Sequence, residues 1–289
     1  MLFTPGTLAK RLEIAESTLV EAFARAVERR RGTADVYISR LGGGAAVIAS
    51  PISPFNKMAG IGFESLEEQP LAEVEREFRA RGVALRAEVS TLADPEIFKT
   101  LAARGYVLSG FENVLGLDLR TARLPDVSPG VVVRRTADDE GADWIRVVTT
   151  GFLHPDEFDG PPSTEVLDRS PLEDVFADAW HVPGMSMYLA HRDGVVAGGA
   201  SMRISGGVAQ LSGAATLVEH RRHGVQTSLL ATRLREAAAQ GCDIAVVTTE
   251  PGSKSQQNVQ RQGFSLLYAR AVMVRSAEPS FSASDVGER

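Results

Sequence analysis

Apolar residues recur along this chain at two spacings, and the switches between them mark its elements. In the second half, residues 187–191, 195–204 and 208–217 read as strands. The turns Arg192-Asp193-Gly194 and Ser205-Gly206-Gly207 separate them. Helical spacing takes over across 226–240, where Leu229, Leu230, Leu234 and Ala237 recur and Gly241 ends the run. Residues 244–249 are a continuous apolar run of the kind buried on both faces. A short helix is predicted over 253–262, an exit at Gly263-Phe264 and a last strand over 266–275. Upstream, 138–152 and 164–180 read as two helices behind a strand. The predicted order is strand, two helices, three antiparallel strands, helix, strand, helix, strand.

The residues before Leu124 follow a weaker copy of the same plan. Helix formers fill 7–31, and short strands are expected at 36–38, 45–49 and 58–63. An amphipathic helix over 70–81 places Leu71, Val74 and Phe78 on one face. A strand over 83–89, a helix over 94–104 closed by Gly105-Tyr106, and a strand over 107–119 complete the copy. Arg104-Gly105-Tyr106 corresponds to Gln262-Gly263-Phe264. Pro125, Ser128, Pro129 and Gly130 make a linker. Two domains are therefore expected, 1–124 and 130–276, with a disordered tail over 277–289.

Composition bounds the function. The 289 residues are 44% hydrophobic and 24% charged, as in a globular protein of two ordinary domains. The net charge of −6 argues against nucleic acid as a partner. No apolar run is long enough to span a membrane, and no signal peptide opens the chain. Cys242 is the only cysteine, so there is no disulfide framework, and the five histidines show no metal-ligand spacing. A cytoplasmic enzyme without a metal is the expectation, and homodimer formation is left open.

The chemistry gathers where the strand over 208–217 breaks into Glu219-His220-Arg221-Arg222-His223-Gly224 ahead of a helix. Backbone N–H groups, a flexible glycine and the positive end of a helix dipole form a cradle for phosphates. Two arginines add charge beside it. Neither G-x-G-x-x-G nor a P-loop is present, which excludes the common nucleotide folds. Arg221-Arg222-His223-Gly224-Val225-Gln226 instead resembles the acetyl-CoA motif of the GNAT acyltransferase superfamily, Q/R-x-x-G-x-G/A, and Ala214-Ala215-Thr216 resembles the strand end that holds the pantetheine arm. The resemblance covers residues 130–275.

It implies an α/β (α+β) fold of two tandem GNAT-like domains, each a mixed, mostly antiparallel sheet flanked by helices. It implies acetyl-CoA as cosubstrate, held by Ala214, Ala215, Thr216, Arg221, Arg222, His223, Gly224, Val225, Gln226 and Thr227, with Ser255 and Asn258 contributing from the last helix. Gln226 stands where the family has Gly or Ala, and it either crowds the pyrophosphate or bonds it. In the first copy, Glu64, Glu67 and Glu68 replace the arginine turn and would repel a pyrophosphate, so that half reads as degenerate.

The implied reaction is direct attack of a primary amine, small-molecule or peptide, on the acetyl thioester. The family's usual Tyr acid is missing, since Val259 fills its slot. Tyr268 either replaces it from the neighbouring strand or is a core aromatic. Candidates for the base are Glu219, His220, His154, Asp156 and Glu157, with Glu219 taken alongside Tyr268 as the catalytic pair. The acidic residues between Asp156 and Asp178 would suit a cationic amine, but read equally as a solvated surface. Two classes follow: an N-acetyltransferase, or a non-catalytic acyl-CoA sensor.

Overall fold

A computed structural model of the chain describes residues 3–32, 36–155 and 168–277. Asp156, Glu157, the first residues of the helix expected from 164, and the tail beyond 277 lie outside the described residues. The first half runs α1 (Gly6–Arg31), β1 (Tyr37–Leu41), β2 (Gly44–Ile48), β3 (Lys57–Ala59), α2 (Glu68–Ala80), β4 (Leu85–Ser90), α3 (Glu96–Ala103) and β5 (Val107–Asp118). The second runs β6 (Val131–Arg135), α4 (Gly141–Leu153), α5 (Arg169–Trp180), β7 (Met185–Arg192), β8 (Val195–Ser205), β9 (Val208–Thr216), α6 (Val225–Ala239), β10 (Ile244–Thr249), α7 (Lys254–Arg261) and β11 (Ser265–Arg275).

Four of the described helices stop in the same way. In α2, α3, α6 and α7 the chain leaves through a glycine with φ of 67°, 85°, 80° and 93° respectively, at Gly82, Gly105, Gly241 and Gly263. In each case the next residue donates back across the last turn, as Cys242 does to Ala237 and Phe264 to Val259. That closure satisfies carbonyls a helix end leaves free, and only glycine takes the left-handed conformation at no steric cost.

The strands are mostly antiparallel, as expected, but the two halves share one sheet. Among the described residues its eleven strands lie in the order β1-β2-β3-β4-β11-β5-β10-β9-β8-β7-β6. The last strands are exchanged: β11 inserts between β4 and β5, and β5 inserts between β10 and β11. The two inserted strands pair with each other, Glu112 opposite Arg270. Each half thereby covers an edge the other would leave open. Parallel pairing occurs only in β3·β4 and β9·β10 among the described residues.

Alternation along the strands puts helices on both faces. Ala209, Leu211 and Ala245 pack with Val225, Leu229 and Leu234 of α6. Val208, Ile244 and Val246, on the opposite face, pack with Ala9, Leu12 and Ala15 of α1. Trp144 and Val148 of α4 and Phe176 of α5 meet Met187, Leu189 and Ala215. In the first half, α2 and α3 cover Ala46, Met58 and Ala87, while α1 covers Val47 and Ala59. The end of α1 is tied to α5 through Asp178, which is 2% exposed and bonds Arg30 Nε at 2.6 Å and Arg31 Nη2 at 2.5 Å. No described helix is long and apolar enough to cross a membrane.

Candidate active site

The strands β9 and β10 run parallel for only three residue pairs, from Val208–Ile244 to Gln210–Val246. Beyond them β9 follows β8 to Thr216, and β10 follows β5 to Thr249. The sheet therefore opens into a wedge. A bulge sharpens the divergence: the β8·β9 register slips between Gly199 and Ser201, and Gly213 takes φ 57°.

At the lips of the wedge stand two hydroxyls without partners. Thr216 Oγ1 and Thr249 Oγ1 are both buried and form no hydrogen bond among the described residues. Two more such atoms are Thr149 Oγ1 on α4 and His220 Nδ1 in the turn after β9. A buried polar atom without a partner is costly and points to something that supplies one.

Past Thr216 the chain makes one tight turn at Val218–His220, takes a positive φ of 64° at Arg222 and enters α6 at Gly224 with φ 76°. No side chain caps α6. Its first-turn N–H groups are free for an anion, and the helix dipole favours one. This is the turn that the sequence singled out, and it follows the strand at the edge of the wedge.

The individual residues divide by what they touch. Arg222 and His223 are exposed, and Gln226 and Thr227 are half-buried at the helix start. Arg221 turns inward: its Nη2 bonds the His154 carbonyl and its Nε the Thr216 carbonyl at 3.4 Å. It joins the end of α4 to the end of β9. Ala214 and Thr216 are half-buried and Ala215 buried. Gly151 of α4 packs so closely that an added Cβ would lie 2.5 Å from Ala215 Cβ. Val225 is a core residue of α6. Ser255 is exposed and Asn258 half-buried on α7, whose N-cap is Ser253, accepting from Gln256 N.

Gly224 serves packing as well as conformation. An added Cβ would fall 2.0 Å from Ser128 Oγ of the linker. Ser128 N donates to Ser228 Oγ at 2.9 Å, which binds the linker to the start of α6. A substitution at Gly224 therefore disturbs the fold and not only the cradle. The sequence marks Ser128 only as linker and gives Thr249 no role; the one signal for Thr249 is a hydroxyl closing an apolar strand.

The catalytic candidates are not together. Glu219 is exposed in the turn after β9. His154 Nδ1 lies 2.9 Å from the Thr150 carbonyl. Tyr268 is buried on the opposite side of β5, and its hydroxyl donates to Glu13 Oε1 at 2.7 Å. Burial and the neighbouring Glu13 carboxylate both raise the Tyr268 pKa. Glu13 also accepts from Arg270 Nε at 2.8 Å, and burial raises its carboxyl despite the charge of Arg270. The same buried cluster holds Lys57, bonded to Glu16 at 3.0 Å and Glu88 at 2.9 Å. Sequence periodicity could not foresee this cluster, because it forms only where α1 crosses the exchanged strands.

The acidic surface is partly neutralised. Asp174 lies 3.6 Å from Arg30, Asp178 bonds Arg30 and Arg31, and Glu173 pairs with Arg169.

The model of the Acetyltransferase (GNAT) family matches residues 153–264, the stretch that holds α5 to α7 and the wedge. Residues 153–264 are thus similar to the GNAT family. Solved structures extend the GNAT likeness to the whole fold. A GCN5-related N-acetyltransferase from Kribbella flavida superposes with a TM-score of 0.63 at 18% identity, covering 93% of this chain and 97% of that one. A tandem GNAT protein from the clavulanic acid biosynthesis pathway, solved without AcCoA, gives 0.58 at 15% identity over 93% and 98%. A GCN5-related N-acetyltransferase from Sphaerobacter thermophilus gives 0.55 at 12% identity over 86% and 78%. No curated protein matches the sequence. At these identities the structures establish the GNAT fold.

Proposed function

We propose that this protein is an acyl-CoA-dependent N-acyltransferase that moves an acetyl group to a primary amine through the second-half wedge. The observation that carries the reading is the pair of unpartnered hydroxyls, Thr216 and Thr249, on strands that diverge beside an uncapped helix. Bound acetyl-CoA supplies an activated thioester. The strand end at Ala214, Ala215 and Thr216 offers backbone N–H groups to the thioester carbonyl. The start of α6, with Arg222 beside it, takes the pyrophosphate. Arg221 holds α4 and β9 together at the cleft. Glu219 or His220, in the turn between the two sites, accepts the proton the amine loses.

Tyr268 is in this account a bridging residue. Its hydroxyl is already given to Glu13, so the leaving thiolate takes its proton from water. A thiol ionises near neutral pH, with a pKa of about 8.5, and departs without a dedicated acid.

The first half takes no cofactor in this reading. Its parallel pair β3·β4 also lasts only three residue pairs. Its opening, however, is filled: a Cβ at Gly60 would lie 2.8 Å from Ser17 Cβ, and one at Gly62 lies 2.7 Å from Ala93 Cβ. Ile61 between them is fully buried. Glu64 beyond them pairs with Lys10 at 2.9 Å. The first half is a degenerate copy, and one acyl-CoA binds per chain.

A second reading is favoured by one observation. Val259 stands in the slot for the tyrosine acid and is buried, which suits a sensor that binds acyl-CoA without turning it over. Thiol release from acetyl-CoA, followed across a panel of primary amines, separates the two. Release with any amine supports the transferase. Tight acyl-CoA binding with no release across the panel supports the sensor.

A further inference from the structure

Helix α6 carries a buried arginine with no carboxylate beside it. Arg233 is 2% exposed, and it forms no ion pair among the described residues. Its N–H groups go to three backbone carbonyls: Nε to Leu229 at 3.1 Å, and Nη1 to Ser201 at 2.8 Å and to Ser212 at 3.4 Å. A guanidinium taken out of water without a counter-charge is expensive, and burial pushes Arg233 down to about 10. Leu or Met would fill the space without that cost. What arginine supplies there is a planar, rigid head that bonds its own helix through Nε and both strands through Nη1.

The two outer carbonyls mark one place. Ser201 and Ser212 face each other across β8 and β9, at the last regular pair before the bulge. A bulge interrupts the ladder and leaves strand carbonyls without their usual partners. Arg233 reaches up from α6 and takes both. The Ser201 and Ser212 hydroxyls bond each other at 2.9 Å, and a Cβ at Gly213 would lie 2.9 Å from Ser201 Oγ. The bulge is gripped by backbone and by side chains at once.

We infer that Arg233 is a positioning residue of the acyl site. Its Nη1 joins the Ser201 and Ser212 carbonyls while its Nε ties the side chain to α6, so that β8 stays clamped to β9, the N–H groups after Gly213 keep one orientation toward the acyl carbonyl, and acyl-CoA is preferred over free CoA. The inference rests on the proposal that β9 receives the thioester. The phosphate end of CoA is held by the separate turn before α6, so affinity for free CoA does not depend on Arg233.

The test uses the full chain with Arg233→Met, Arg233→Gln and Arg233→Lys. Amide exchange at residues 212–216, read without ligand, speeds up by about tenfold in each variant while the rest of α6 stays protected. By calorimetry, affinity for CoA stays within about twofold of wild type, and affinity for acetyl-CoA drops by about fivefold or more. Arg233→Lys keeps a charge but loses the Nε bond to Leu229 that fixes the head on α6, and behaves like the other two. Unchanged exchange at 212–216 overturns the clamp. Equal weakening of CoA and acetyl-CoA overturns the positioning role and leaves a general packing one. Full recovery by Arg233→Lys also overturns it, since charge alone would then suffice. If the wild type binds neither CoA nor acetyl-CoA, the acyltransferase proposal falls, and exchange at 212–216 still decides whether Arg233 clamps the bulge.

Discussion

Replacing Thr249 by Val should make the free protein more stable and the liganded protein weaker-binding. The hydroxyl is on a residue 6% exposed and has no partner among the described residues. A buried unsatisfied polar group costs about 1–3 kcal/mol. Valine keeps the shape and removes the cost, so a gain of about 1 kcal/mol is expected, which raises Tm by about 2–4 °C for a protein of this size. In the complex the same hydroxyl gains a partner. Its loss there removes a hydrogen bond worth about 0.5–1.5 kcal/mol, or about 2–12-fold in affinity. Melting curves without and with saturating acetyl-CoA, together with calorimetry, read both effects. The free variant should melt above wild type, and the extra stabilisation by ligand should shrink. A lower Tm for the free variant would mean Thr249 already has a partner. Unchanged acetyl-CoA affinity would remove Thr249 from the site and with it the reasoning from unpartnered hydroxyls.

Other expectations follow from the same geometry. Gly224→Ala should cost about 1–2 kcal/mol for its left-handed backbone, plus the clash with Ser128. In urea melts, Ser128→Gly in that background should recover the clash but not the backbone cost. Glu16 links pH to stability: burial would raise its carboxyl, but Lys57 and Arg270 outweigh burial and hold it at about 2 against an ordinary 4.5. Its contribution is full above about pH 4.5 and is lost as pH falls toward 2. Urea midpoints between pH 6 and 3 should fall less steeply in Glu16→Gln than in wild type. Tyr268→Phe should cost about 1.5–3 kcal/mol, the worth of a hydrogen bond to a buried charged group, while the folded variant keeps its turnover. A large loss of turnover with little loss of stability would restore Tyr268 as the acid.

Much of this was legible in the sequence because it is local. Strand alternation, the 3.6 period of α6 and the glycine exits of α2, α3, α6 and α7 depend on neighbours in the chain. The turn from Glu219 to Gly224 could be placed for the same reason. The exchange of β5 and β11 could not be read, since the pattern of β5 is the same whether β10 or β4 lies beside it. Arg270 looks like an ordinary charged residue in a strand. It is buried only because α1, β4, β5 and β11 bring Glu13, Glu16, Glu88 and Glu112 around it. Tyr268 could be read as an acid because its partner, Glu13, is far away in the chain. Ser128 looked like linker and nothing more, and its contact with Gly224 emerges only when the linker folds back onto α6.

Hydrogen exchange of the full chain with and without acetyl-CoA tests the central claim most directly. Ligand should slow exchange at residues 212–227 and 247–256, which line the wedge and the start of α6, and leave residues 57–68 of the first half unchanged. No slowing at 212–227, or slowing confined to 57–68, would contradict an acyl-CoA site between β9 and β10.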